Sequence, residues 1–165
     1  LFRSPEKRTS KEIEVLVRCM SAVSFFNNYD HHTIESCLKH MTHVHMMPNE
    51  VVFELGIISK NFPKLSGTVG TTFWVTLKGS VGVQLFVDKI VGQDDKGENI
   101  IEKVFTEVRV LPAGSAFGEL ALLDNRPRAA TIVCKEECDF AVLDKQNFIA
   151  ILSKLIEIMR IIFRT

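Results

Sequence analysis

The chain has 165 residues, 46% hydrophobic and 24% charged, which suits one domain with a substantial core and excludes a disordered or collagen-like chain. Twenty Lys+Arg balance twenty Asp+Glu, so no global basic field exists to hold a nucleic acid backbone. No run of about 18 uncharged apolar residues is present, which argues against a bilayer-spanning helix. No secretory leader pattern opens the chain. It starts at Leu1 and stops inside a helical pattern at Thr165, and so reads as a piece of a longer protein. Cys19, Cys37, Cys134 and Cys138 form no CxxC pair, and they read as reduced thiols of a cytoplasmic protein.

Residues 1–10 are polar and read as a frayed end. From Ser10, a plausible N-cap, Ile13, Leu16, Val17 and Met20 recur at the spacing of an amphipathic helix. A second helix is predicted over 30–41, capped by Asp30, with Ile34, Leu38 and Met41 inward. After Pro48 the hydrophobic period falls from about 3.6 to 2. Strands are predicted over 51–55, 72–77 and 81–87, the last two joined by a tight turn at Lys78, Gly79 and Ser80. Residues 57–70 and 88–99 read as two long polar loops. Further strands are expected over 100–110, 131–133 and 139–143, with a turn at 111–115. Residues 144–163 read as a helix greasy on most sides, with Phe148, Ile151, Leu152, Leu155, Met159 and Ile162 on one face. The fold class is therefore α+β: an antiparallel β-barrel or jelly roll flanked by N-terminal and C-terminal helices. Its expected parts are a helical segment over 1–47, the barrel over 48–143 and the C-terminal helix over 144–165.

The most informative stretch is 114–131, GSAFGELALLDNRPRAAT. Gly118 lets a ligand approach the backbone, and Glu119, Leu120 and Ala121 can open one short helical turn whose first amides suit an anion. Arg128 follows between Pro127 and two small residues, Ala129 and Ala130, whose amides stay accessible. A guanidinium grips two phosphate oxygens at once. A carboxylate beside a phosphate would repel it, so Glu119 should meet a hydroxyl donor such as a ribose. The combination says sugar plus phosphate.

This segment closely resembles the phosphate-binding cassette of the cyclic nucleotide-binding domain family, found in regulatory subunits of cAMP-dependent kinase, cGMP-dependent kinases and the bacterial catabolite activator. Phe117, Gly118, Glu119, Leu120, Ala121 and Leu122, then Pro127, Arg128, Ala129, Ala130 and Thr131, match its pattern. The turn at Gly79 is similar to the family's G-x-V hairpin, and the opening helices look like its N-terminal bundle. The resemblance implies that Glu119 accepts the ribose 2′-hydroxyl, Arg128 pairs with the cyclic phosphate, and the Gly118 and Ala130 amides assist. Val110, Leu120 and Ala121 are the expected pocket walls. Where the family usually has Gly-Asp, this chain has Gly114 and Ser115, so a bracing carboxylate is absent and weaker binding is expected. The family's cGMP-selective members often place Thr after the arginine; Ala129 here leans to cAMP. The lid over the base is expected from Phe163, from a neighbouring domain, or not at all. The implied function is a regulatory module with no cofactor beyond its ligand, cAMP or cGMP. Binding would pivot the C-terminal helix and be read by an effector in the same or another chain, with no nucleic acid and no membrane insertion involved.

Two rivals remain. Glu119 and Arg128 could form a plain ion pair in a degenerate scaffold that binds no nucleotide. His43, His45 and Glu50 match the spacing of a cupin metal motif, but the second motif's expected histidine position holds Phe117, and the histidines read better as half-buried residues entering the first strand. His31 and His32 are expected at a helix start in solvent, the Phe25–Phe26 pair between helices and barrel, and Trp74 in the core. No nucleophile–base pair, Walker loop or kinase signature appears, so the chain reads as a binding domain, not an enzyme.

Overall fold

The computed structural model describes residues 3–56, 70–153 and 161. In chain order the elements are a 3-10 turn (Pro5–Lys7), α1 (Ser10–Met20), a 3-10 turn (Ser24–Asn28), α2 (His31–Leu38), β1 (Thr42–Met46), β2 (Val51–Phe53), β3 (Thr72–Lys78), β4 (Val81–Gln93), β5 (Asn99–Leu111), β6 (Ala116–Phe117), α3 (Glu119–Leu123), β7 (Thr131–Cys134), β8 (Cys138–Asp144) and α4 (Lys145–Ile151). The strands form two four-stranded antiparallel sheets, ordered β1-β8-β3-β6 and β2-β7-β4-β5. The expected α+β class with a jelly-roll-type double sheet and helical flanks is what the structure has.

Local chemistry explains the ends of the helices. Thr9, not Ser10, caps α1: its Oγ1 accepts from the Glu12 amide while the Glu12 carboxylate accepts from the Thr9 amide, a reciprocal capping box. Asp30 caps α2 by accepting from the Thr33 amide at 2.7 Å, and Asp144 caps α4 by accepting from the Asn147 amide at 2.9 Å. Among residues 3–10 the chain is docked rather than frayed, because Arg8 donates to the Leu38 carbonyl. The second helix stops at Leu38, yet Met41 beyond it is still fully buried.

Period-2 alternation gives the sheet two buried faces. On β8, Ala141 and Leu143 face the helices, while Phe140 and Val142 face the other sheet. On β3, Phe73 and Val75 point to the helices and Trp74 to the sandwich interior. Phe25 lies 5.3 Å from Phe73, and Phe73 lies 4.9 Å from Phe148, so both flanking helical segments meet on one aromatic residue of the sheet. Trp74 stacks near-parallel to Phe117 and edge-on to Phe140. His31 and His32 open α2 in solvent, as expected.

Two strand readings change. Residues 42–46 are a strand before Pro48, paired with β8. The 88–99 stretch is not a loop: β4 and β5 run 13 residues each and pair from Val81↔Leu111 out to Gln93↔Asn99, leaving residues 94–98 as the turn. Its polar letters hid an extended ribbon because exposed strands do not need an apolar face. The 57–70 loop, and most of the C-terminal helix beyond Ser153 with Leu155, Met159, Ile162 and Phe163, lie outside the described residues, except for Gly70 and Ile161. Gly79 has φ +86°, and a Cβ there would stand 2.5 Å from the Glu137 carbonyl, so the β3–β4 turn requires glycine.

Candidate functional site

The cassette sits where the inter-sheet core opens. The turn before it is anchored on both sides: Gly114 donates to the Thr76 carbonyl and accepts from the Phe25 amide. Strand β6 then pairs with β3, and Gly118 caps the five-residue helix α3. Ala121 and Leu122 bury one side of that helix, whereas Leu120 is exposed. After the turn at Asn125, the chain is strapped down at its far end: Gly56 donates to the Arg128 carbonyl at 2.8 Å, and Leu55 donates to Thr131 Oγ1 at 2.8 Å.

These elements surround a cavity of about 310 Å³, at the lower end of the usual range for small-molecule sites. Gly118, Glu119, Leu120, Ala121, Arg128, Ala129 and Ala130 all line it. Val110 does not. It is 47% exposed and outside the cavity, because alternation along β5 turns its neighbours Arg109 and Leu111 inward instead. Phe53, Val83, Ala116, Phe117 and Ile132 complete the wall, contributed by strands from both sheets. Ala116 and Phe117 lie within the cassette stretch, whereas Phe53, Val83 and Ile132 come from strands outside it. Arg109 and Leu111 were recoverable by carrying the period of two one residue further.

Arg128 is 4% exposed. Its Nη1 donates to the Gly118 carbonyl at 2.9 Å, and its Nη2 donates to the Thr72 carbonyl at 2.8 Å and to Thr72 Oγ1 at 3.1 Å. The guanidinium carbon also lies 4.0 Å from the centre of the Phe53 ring, a cation–π contact. Trp74 Nε1 donates to the same Thr72 hydroxyl at 2.9 Å. The hydrogen bonds that brace Arg128 thus all go to neutral oxygens, with a ring against its guanidinium carbon. Burial pulls the guanidinium below the usual arginine value, and the Glu119 carboxylate opposes that shift.

Glycine is required here for a reason different from ligand approach. Gly118 has φ +95°, and a Cβ would stand 2.8 Å from Arg128 Nη1 and 3.1 Å from the Thr72 carbonyl. A Cβ at Gly70 would stand 2.9 Å from Arg128 Cζ. Both glycines clear space for the arginine itself.

The histidines of the cupin-like spacing are engaged elsewhere. His43 Nε2 and His45 Nδ1 both bond Asp139 Oδ1, at 2.8 and 3.0 Å, and Glu50 accepts from the Met47 amide. Among the described residues no group of three or more His, Cys, Asp or Glu is placed to hold a metal. Cys37, Cys134 and Cys138 are buried free thiols, and Cys19 is an exposed one. No helix among the described residues is long and apolar enough to cross a membrane.

The family model for the cyclic nucleotide-binding domain covers residues 65–154, more than half of the chain. Rap guanine nucleotide exchange factor 3 of Rattus norvegicus is 28% identical over 152 residues, 90% of this chain and 13% of that protein. The cAMP-dependent protein kinase regulatory subunit of Mucor circinelloides f. lusitanicus is 37% identical over 90 residues, 52% of this chain and 20% of that protein. The chain therefore spans a fifth or less of these curated relatives. Among solved structures, the regulatory subunit of a cAMP-independent protein kinase A from Trypanosoma brucei, a mutant bound to cAMP, superposes with a TM-score of 0.66 at 19% identity, covering 94% of this chain and 48% of that one. The regulatory domain of Toxoplasma gondii PKA with cAMP gives 0.65 at 23% identity, covering 95% and 51%. At these identities the structural likeness is one of fold. With the family model spanning the cassette and strands β3 to β8, more than half of the chain, the chain belongs to the cyclic nucleotide-binding domain family.

Proposed function

We propose that this chain is a regulatory module that binds a cyclic nucleotide, with cAMP favoured over cGMP, in the cavity between cassette and β5. The carrying observation is Arg128: a cation almost wholly withdrawn from water, braced by neutral oxygens, on the wall of a cavity sized for a small ligand. A buried cation in that setting gains most from an anion that enters the cavity. The three bonds to Gly118 and Thr72 use three of the five guanidinium donors, which leaves two for phosphate oxygens. In this reading Glu119 accepts the ribose hydroxyl, the Gly118 and Ala130 amides assist, and Ala129 offers no hydroxyl to a guanine.

Ligand binding is transmitted through α3. Leu122 shares one core with Phe148 and Leu152, and Lys145 at the start of α4 donates to Asn125 Oδ1 at 2.7 Å. A pull on the cassette therefore acts on α4, and an effector in the same or another chain would read the movement, with coupling of about 1–3 kcal/mol. The activity is binding, not catalysis, and the free thiols fit a cytoplasmic setting.

Arg109 favours a second reading of the ligand. Its side chain lines the cavity and offers only donors, which match the N7 and O6 acceptors of guanine better than the amino group of adenine. Calorimetric titration with cAMP and cGMP side by side separates the two. At 100 times its Kd, the cognate nucleotide should stabilise the fold by about 2.7 kcal/mol. Tighter cGMP binding that is lost in Arg109→Ala would reverse the preference, and no heat or thermal shift with either at millimolar concentration would leave a scaffold that binds neither.

A further inference from the structure

The β4–β5 ribbon is a surface that nucleotide binding does not explain. More than half of the exposed large hydrophobic side chains among the described residues lie on it. Strand β7 pairs with β4 only over residues 81–84, so from Leu85 outward β4 and β5 pair with each other alone among the described residues. A lone two-stranded hairpin is marginally stable in water, and an apolar one is poorly covered by it.

The register shows which face is uncovered. Residues directly opposite each other share a face. Three successive rows on one face are Phe86/Phe105, Asp88/Lys103 and Ile90/Ile101. The phenyl centroids are 5.1 Å apart, and Lys103 Nζ lies 3.6 Å from Asp88 Oδ1. All four apolar members are 44–61% exposed. On the reverse face the inner residues Leu85, Val87 and Val104 are half-buried, while Lys89, Glu102 and Ile100 further out are exposed. The uncovered face is therefore one charged row between two apolar rows, with its single acid and single base cancelling.

We propose that this face is the contact between two copies of the chain, stacked ribbon on ribbon about a two-fold axis parallel to the strands. Charge complementarity selects both the occupant and the axis. A neutral row gives a polyanion or a charged membrane surface nothing to hold, but it is its own complement. An axis across the strands sets Asp88 on Asp88 and Lys103 on Lys103. An axis along the strands exchanges β4 and β5, so that Asp88 of each copy faces Lys103 of the other, Phe86 faces Phe105, and Ile90 faces Ile101. Stacked sheets lie about 10 Å apart, which these side chains fill. Six residues a side are well short of the roughly 20–30 of a standard interface, so the association is weak and concentration-dependent.

Sedimentation velocity of the chain from micromolar to near-millimolar concentration tests this. Wild type is expected to pass from monomer to dimer and no further. Asp88→Lys and Lys103→Asp should each weaken dimerisation about tenfold or more, since each sets like charges face to face across the interface twice. Mixing the two variants in equal amounts should restore association, because each reversed position then meets its opposite on the other copy; a misfolded hairpin would not be rescued this way. A wild type that stays monomeric throughout overturns the proposal, as does a dimer indifferent to either reversal, or a mixture no tighter than its components.

Discussion

The cassette and the ribbon lie at the two ends of β5, and they use their side chains in opposite ways. At the Leu111 end, polar groups and glycines turn inward to serve one buried arginine, and the chain is strapped to β3 and to the end of β2 by hydrogen bonds. At the Asn99 end, large apolar groups face outward and the backbone ladder to β4 is the main constraint. The same strand is thus a wall of the cassette cavity at one end and an unfinished surface at the other. A residue's contribution to the folded state follows what covers it, not its hydrophobicity: Ile101 is as apolar as Leu122 but sits in water.

Substitutions along that contrast should fall in a clear order. Leu122→Ala, in the core shared by cassette and helices, should lower unfolding free energy by about 2–5 kcal/mol in denaturant titration. An effect below 1 kcal/mol would mean that α3 is not part of that core. Next, Arg128→Lys gives up the forked grip and should weaken nucleotide binding by roughly 1.5–3 kcal/mol in calorimetry; unchanged affinity would remove Arg128 from the ligand's contacts. Thr72→Val keeps the carbonyl but deletes the hydroxyl shared by Arg128 and Trp74, and about 1–2 kcal/mol should be lost. That loss should appear in nucleotide affinity as well as in stability, since a loss in stability alone would confine Thr72 to a packing role. Smallest of all, Ile101→Ala should leave monomer stability within about 0.5 kcal/mol. A larger loss in dilute protein would show the ribbon to be covered within the monomer.

Acid should act through a different place. The bonds from His45 and His43 hold the Asp139 carboxyl below its ordinary value. A depressed folded value means that this stabilisation is present above the unfolded carboxylate range near about pH 4 and is lost as pH falls through the folded value. Acid unfolding followed by circular dichroism should therefore depend more steeply on pH below about 4 in wild type than in Asp139→Asn, which has no carboxyl to protonate; equal steepness in the two would remove Asp139 from the acid response.

Much of this molecule was written locally. The α1 and α2 periodicity, the Asp30 and Asp144 caps, the glycine turn at 79 and the cassette pattern are all settled by neighbours within a few residues, which is why the letters alone carry the double-sheet class and the cassette segments 118–121 and 128–130 that line the cavity. What tertiary structure decided depends on partners distant in sequence. Thr72, 56 residues from Arg128, becomes its brace only because β3 lies beside the cassette. Phe53 and Arg109 reach the cavity because two sheets close over it, while Val110 leaves it through a single step of strand alternation. The 88–99 stretch reads as a loop because an exposed ribbon is held by a backbone ladder whose geometry no side-chain period records. Sequence fixes what each residue offers; only the fold fixes which faces meet and which are left in water.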